Sequence, residues 1–147
     1  MRLDGKTIVL GVSGGIAAYK AAELTRLLRR EGARVRVVMT RGAQEFITPL
    51  TLQTLSGEPV ATETFDLTQE SEIGHIGLAD SADVLLVAPA TANVVAKLAA
   101  GIADDLLTTV ALATRAKIVV APAMNVHMYE NAVVRENLAR LATRGVR

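Results

Sequence analysis

Three stretches combine glycine, hydroxyl, amide and imidazole groups in patterns that can hold or transform a small polar molecule. In "GVSGGIAAYK", Ser13, Gly14 and Gly15 stand between an aliphatic run and a helical pattern. Small residues there let backbone amides approach an anion, and a helix start adds partial positive charge. The spacing Gly-x-x-Gly-Gly matches neither the dinucleotide fingerprint nor the P-loop with its Gly-Lys-Ser/Thr, which argues against ATP hydrolysis. A dinucleotide site also wants an acid at the end of the second strand, and this chain has "MTRG" there. Thr40 suits a phosphate or a mononucleotide better, although Arg41 would serve the extra phosphate of NADP in a reductase. The same Ser13 also fits a plain cap in a tight turn.

Two later loops echo each other. "VAPATAN" (87–93) and "VAPAMN" (120–125) both run from aliphatic residues into Ala-Pro-Ala and reach an asparagine. Proline cannot donate to a strand ladder, so each Pro marks a strand end. Thr91 and Asn93 then lie where a planar polar ligand would cross a sheet edge, and both also fit as helix caps. Asn125 offers two donors and an acceptor without charge. For a carboxylate that must leave as carbon dioxide this matters, because a cation would stabilise the ground-state anion and raise the barrier. Met124 and Met128 suit adaptable apolar walls, and Asn125 suits a helix cap equally well. His75, between Gly74 and Gly77, is one of two histidines and a candidate proton acceptor, or else a satisfied structural residue. His127 reads as a loop residue. Asp104 and Asp105 read as a turn and an acidic helix start, and no metal site is expected.

The elements that must position these groups follow from hydropathy. Four aliphatic runs, 6–12, 33–40, 82–90 and 116–123, read as strands. Helical spacing covers 16–31, about 43–55, two helices within 93–113, and 133–145, whereas 65–80 is irregular and reads as loop before a short helix. Alternating strands and helices predict α/β, an open and mostly parallel doubly wound sheet of Rossmann-like or flavodoxin-like type with helices on both faces. The 147 residues suit one domain, at roughly 150 residues per domain. Only four residues are aromatic, so Val, Leu, Ile and Ala must fill the core. Sixteen basic and fifteen acidic residues are spread without a basic tract, which disfavours nucleic acid. No apolar run approaches the roughly 18 to 20 residues of a membrane span, and there is no cysteine and no leader. The chain reads as soluble and cytoplasmic.

Taken in order, "IVLGVSGGIAAYK", "FITPLTLQTLSG", "GHIGLA", "APATAN" with "AAGIADDLL", and "PAMNVHMY" resemble one family, the flavin-containing cysteine decarboxylases, and within it the phosphopantothenoylcysteine decarboxylases. The resemblance covers nearly the whole chain. It implies FMN as cofactor, surrounded by Ser13, Gly14, Gly15, Thr40, Thr91, Ala92, Asn93 and Ala123. It implies His75 as the active-site base, and Asn125 with Met128 on the substrate, 4'-phosphopantothenoyl-cysteine. By resemblance the flavin oxidises the thiol to a thioaldehyde, carbon dioxide leaves, and reduction returns 4'-phosphopantetheine for coenzyme A. A homotrimer or dodecamer with FMN between subunits is likewise implied. The family's proton-donating cysteine has no counterpart here, so residues 1–147 are expected to be the decarboxylase domain, ending before a substrate clamp and a ligase domain. A flavin prenyltransferase of the same architecture and a non-enzymatic regulatory flavoprotein remain as other readings.

Overall fold

Branched aliphatic runs form four strands, β1 (Thr7–Val12), β2 (Arg34–Met39), β3 (Val84–Ala90) and β4 (Lys117–Pro122), in a computed structural model that describes residues 2–62 and 71–147, residues 71–73 by backbone alone. All pair in parallel, in the order β2-β1-β3-β4. The helices are α1 (Lys20–Arg30), α2 (Pro49–Ser56), α3 (Ser71–Ser81), α4 (Ala92–Ala100), α5 (Leu106–Ala113), α6 (Val126–Glu130) and α7 (Ala132–Thr143), with 3-10 turns at Ile16–Tyr19 and Gly42–Glu45. None among the described residues is long and apolar enough to cross a membrane.

The strand period of two sorts the core into layers. Ile8, Leu10, Val12, Val35, Val37 and Met39 point to one face and pack with Ala21 of α1 and Leu52 of α2. Val9, Val38, Leu85 and Val87 point to the other, against Val95 of α4, Leu107 of α5 and Leu141 of α7. Both faces are covered, as a parallel sheet requires, and the expected doubly wound α/β architecture is the one observed. Short backbone brackets flank the sheet. Ala61 pairs with β2, and Arg147 accepts from Val120 N at 2.6 Å while donating to Ile118 O at 3.0 Å beside β4.

Several boundaries differ from the sequence reading. The helix expected over 43–55 is a 3-10 turn followed by α2, because Pro49 occupies the first helical position and Thr48 caps it by accepting from Thr51 N at 3.2 Å. Of the irregular stretch 65–80, residues 65–70 lie outside the described residues, and helix α3 occupies the rest. The turn between α4 and α5 falls where expected. Gly101, at φ 74°, ends α4 in a conformation that side chains disfavour, and Asp105 with Thr108 forms a capping box on α5. Helix α6 was not foreseen, so His127 belongs to a helix rather than a loop.

On the α1–α2 face, Arg34 of β2 reaches Glu58, its Nε donating to both carboxylate oxygens at 2.9 Å. That hydrogen bond holds the Glu58 carboxyl below its ordinary value. The pair's stabilisation is therefore complete above the unfolded carboxylate range and disappears as pH falls through the lower folded value. Glu58→Gln should lower the urea midpoint slightly at neutral pH, and the gap between variant and parent should narrow progressively as pH falls below the ordinary glutamate range.

Candidate functional site

The chain leaves β1 toward β2 on one side and resumes at β3 on the other, so the loops following β1 and β3 diverge at the carboxyl edge. Open α/β sheets bind ligands at such a switch point. Loops after all four strands meet there around a cavity of about 990 Å³.

Backbone and buried hydroxyls hold these loops in register. Ser13 is 1% exposed, and its Oγ donates to Pro89 O at 2.6 Å and accepts from Thr91 N at 3.0 Å. Ser13 N donates to the same Pro89 carbonyl at 3.3 Å. The hydroxyl thus crosses from the β1 loop to the β3 loop. It does not cap its own helix turn, which starts at Gly15 without a side-chain cap. Thr91 in turn caps α4, accepting from Val94 N at 3.2 Å. Asn93 is not a cap but an exposed residue of the first turn, open to the cavity. Thr40 N donates to Val12 O at 3.0 Å, and Thr40 Oγ1 accepts from Ala43 N at 3.1 Å. A Cβ on Gly14 would lie 2.6 Å from the carbonyl carbon of Gly42, so the β1 and β2 loops touch backbone to backbone. Ala123 N, donating to Ala90 O at 3.0 Å, ties in the β4 loop.

The lining falls into zones. Ser13, Gly14, Gly15 and Thr40 lie on one side, Thr91, Ala92 and Asn93 at the centre, and Ala123, Asn125 and Met128 on the other. Asn125 is exposed, and its Oδ1 caps α6 by accepting from His127 N at 2.8 Å. Among the described residues nothing accepts from the donor end of the amide. Acidic groups near α4 and α5 are matched internally: Asp104 pairs with Lys97 at 3.0 Å, and Asp105 Oδ1 accepts from Thr108 N and Oγ1 at 2.8 and 2.7 Å.

All of the residues proposed from sequence to hold cofactor or substrate line this cavity, and His75 does not. It is half-buried on α3, and no histidine contributes to the lining. Sequence reading missed Ile16, Tyr19 and Lys20, which a 3-10 turn swings onto the rim, and Lys97, one helical turn beyond Asn93. The signal for Lys97 was that four-residue spacing. A smaller apolar cavity of about 210 Å³ between α4, α5 and α7 contains none of the predicted residues.

A model of the flavoprotein family matches residues 1–147. The chain belongs to the flavoprotein family. It is 56% identical over 144 residues to the coenzyme A biosynthesis bifunctional protein CoaBC of Vibrio vulnificus strain YJ016, covering 98% of this chain and 36% of that one. For the protein of the same name from Escherichia coli K12 the figures are 55% over 146 residues, 99% and 36%. The chain thus spans about a third of the length of these relatives. Among solved structures, the FMN-dependent cysteine decarboxylase SpaF superposes with a TM-score of 0.91 at 33% identity, over 99% of this chain and 83% of that one. A PPC decarboxylase variant complexed with pantothenoylaminoethenethiol superposes at 0.80 and 30% identity, over 96% and 79%. These flavoprotein relatives share the layered sheet described above.

Ser13→Ala would remove the buried hydrogen bond to Pro89 O and leave the part-buried Thr91 N–H without its acceptor. The expected cost is about 1–3 kcal/mol of stability, measurable by chemical denaturation.

Proposed function

We propose that this flavoprotein domain binds FMN in the switch-point cavity and oxidatively decarboxylates the cysteinyl end of 4'-phosphopantothenoyl-cysteine, giving the enethiol whose reduction yields 4'-phosphopantetheine. The observation that carries the reading is the convergence of residues from four separate loops on one open cavity. The names of the relatives, bifunctional coenzyme A biosynthesis proteins and FMN-dependent or PPC decarboxylases, support the same chemistry.

The lining fits a flavin phosphate ester. Beside Gly15 a Cβ would meet only Thr91 Cγ2 at 3.7 Å, so the glycine leaves open space at the cavity wall. Backbone amides of Gly14 and Gly15 and the Thr40 hydroxyl would serve polar groups of the cofactor, while Thr91, Ala92, Asn93 and Ala123 would flank the ring. FMN supplies a two-electron acceptor for the thiol carbon, and the resulting thiocarbonyl can take the electrons released with carbon dioxide.

The chain's own residues orient and deprotonate. In this reading Asn125, its amide oxygen held by His127 N, presents its NH2 group to the substrate carboxylate. Being neutral, it directs the carboxylate without strongly stabilising the ground-state anion. Met128 provides an apolar wall. His75 acts as base on the thiol proton from a neighbouring copy of the chain, with the cofactor between copies of a homotrimer or a larger assembly such as a dodecamer. Support comes from the absence of His75 from the lining and from apolar side chains exposed at the rim, Ile16 at 79% and Tyr19 at 60%. The sequence has no cysteine, so the proposal for these residues covers cofactor binding, thiol oxidation and carbon dioxide loss.

Two measurements test it. The purified protein should show a bound-flavin absorption spectrum, and carbon dioxide should be released from 4'-phosphopantothenoyl-cysteine. His75→Asn should keep the flavin spectrum and lose about 10²–10⁴-fold in release. Asn125→Asp, which sets an anion against the substrate carboxylate, should raise KM while leaving cofactor uptake intact. A colourless protein, or a yellow one that releases no carbon dioxide, overturns the reading.

A further inference from the structure

The charges around the cavity are unevenly distributed. On the α4–α5 side no cation among the described residues is left unmatched: Lys97 pairs with Asp104 at 3.0 Å, and the Asp105 carboxylate is held by hydrogen bonds from Thr108. Across the cavity, Lys20 at the start of α1 and Arg41 just after β2 both line the wall and are both exposed. Among the described residues Arg41 has no ion pair or hydrogen bond through its side chain, and Lys20 Nζ has only the ring of Tyr19, 6.0 Å from its centroid. Two unmatched cations on one wall, beside the Gly14 and Gly15 amides and Thr40, make a patch of surplus positive potential facing the ligand space.

From this asymmetry, and resting on the functional reading above, we infer that Arg41 and Lys20 form a phosphate-reading rim. The rim selects a ligand carrying a phosphate monoester over the same ligand without it. Arg41 is the stronger determinant, because a guanidinium pairs two donors with phosphate oxygens whereas an ammonium acts as a point charge. Neither residue takes part in proton transfer or touches the reacting carbon. Their effect is on affinity and on the choice between phosphorylated and dephosphorylated molecules. Two molecules of the proposed reaction carry such a group, the flavin and the cysteinyl substrate, and both present the same dianionic chemistry.

The experiment compares wild type, Arg41→Gln and Lys20→Gln in two arms. The first measures dissociation constants for FMN and for riboflavin by flavin fluorescence. The second measures kcat and KM for phosphopantothenoyl-cysteine and for pantothenoyl-cysteine at saturating FMN. If the rim reads the flavin, Arg41→Gln weakens FMN binding about tenfold and leaves riboflavin unchanged. If it reads the substrate, KM for the phosphorylated compound rises by a similar factor at constant kcat, with the dephosphorylated compound unaffected. In either case the selectivity of wild type shrinks as ionic strength is raised, since exposed charges are screened over about 10 Å at 0.1 M salt. Equal losses for both members of each pair, or no loss in any, overturn the rim while leaving the decarboxylase reading in place. A wild type that binds neither flavin and releases no carbon dioxide removes that reading and the rim together.

Discussion

The hydroxyl of Ser13 holds the site together. At the switch point the chain goes opposite ways, and the ladder between β1 and β3 ends before the loops begin, at Gly11 and Val87. Beyond that point the two loops are joined by Ser13, whose Oγ donates to Pro89 O and accepts from Thr91 N while the side chain is almost wholly buried. Serine suits the position because one hydroxyl can serve an acceptor and a donor at once. Low local polarity strengthens both bonds and makes the loss of either costly. From this joint the rest of the rim is placed in sequence: Thr91 starts α4, α4 carries Asn93 and Lys97, and Ala123 hangs the β4 loop on Ala90.

The close approach of Gly14 to Gly42 acts in the same direction on the other side. Because the two backbones touch, the β1 loop lies against Gly42 on one side and is hydrogen-bonded to Pro89 on the other. The backbone, small residues and neutral amides in the lining leave little to order on that part of the wall when a ligand enters, which lowers their share of the cost of binding. Asn125 shows the economy of this arrangement. Its oxygen satisfies a helix N-terminus, so the cap does not compete with the ligand-orienting role proposed for the NH2 group.

Much of this was legible in the sequence, for identifiable reasons. The four strands announce themselves as aliphatic runs, and the Ala-Pro-Ala echoes mark two carboxyl ends that a parallel sheet must bring to one edge. Gly101 and Asp105 punctuate α4 and α5 where their backbone preferences require. What was hidden depends on distance along the chain or on short elements. The bond from Ser13 to Pro89 spans 76 residues, and nothing local distinguishes a serine that bridges from one that caps or binds. Helix α6 has five residues, too few for periodicity to register, and only its cap at Asn125 signalled it. The break before α2 was written in Thr48-Pro49 and outweighed by the apolar spacing around it. His75 was recognisable as a candidate base, but its position on α3 outside the lining is a property of the fold.

That position separates two properties usually found together. The groups that would grip a cofactor and orient a carboxylate belong to one chain and one cavity, whereas the imidazole of that chain lies outside it. If the base arrives from a second copy, turnover is a property of the assembly rather than of the single fold. The apolar side chains at Ile16 and Tyr19 then bring a second chain to the cavity rim as well as burying area. The physical reason such an arrangement works is that a parallel sheet presents its loops along one edge. A site there has a floor and two walls but no roof, and a neighbouring molecule is the simplest structure that can exclude water from above.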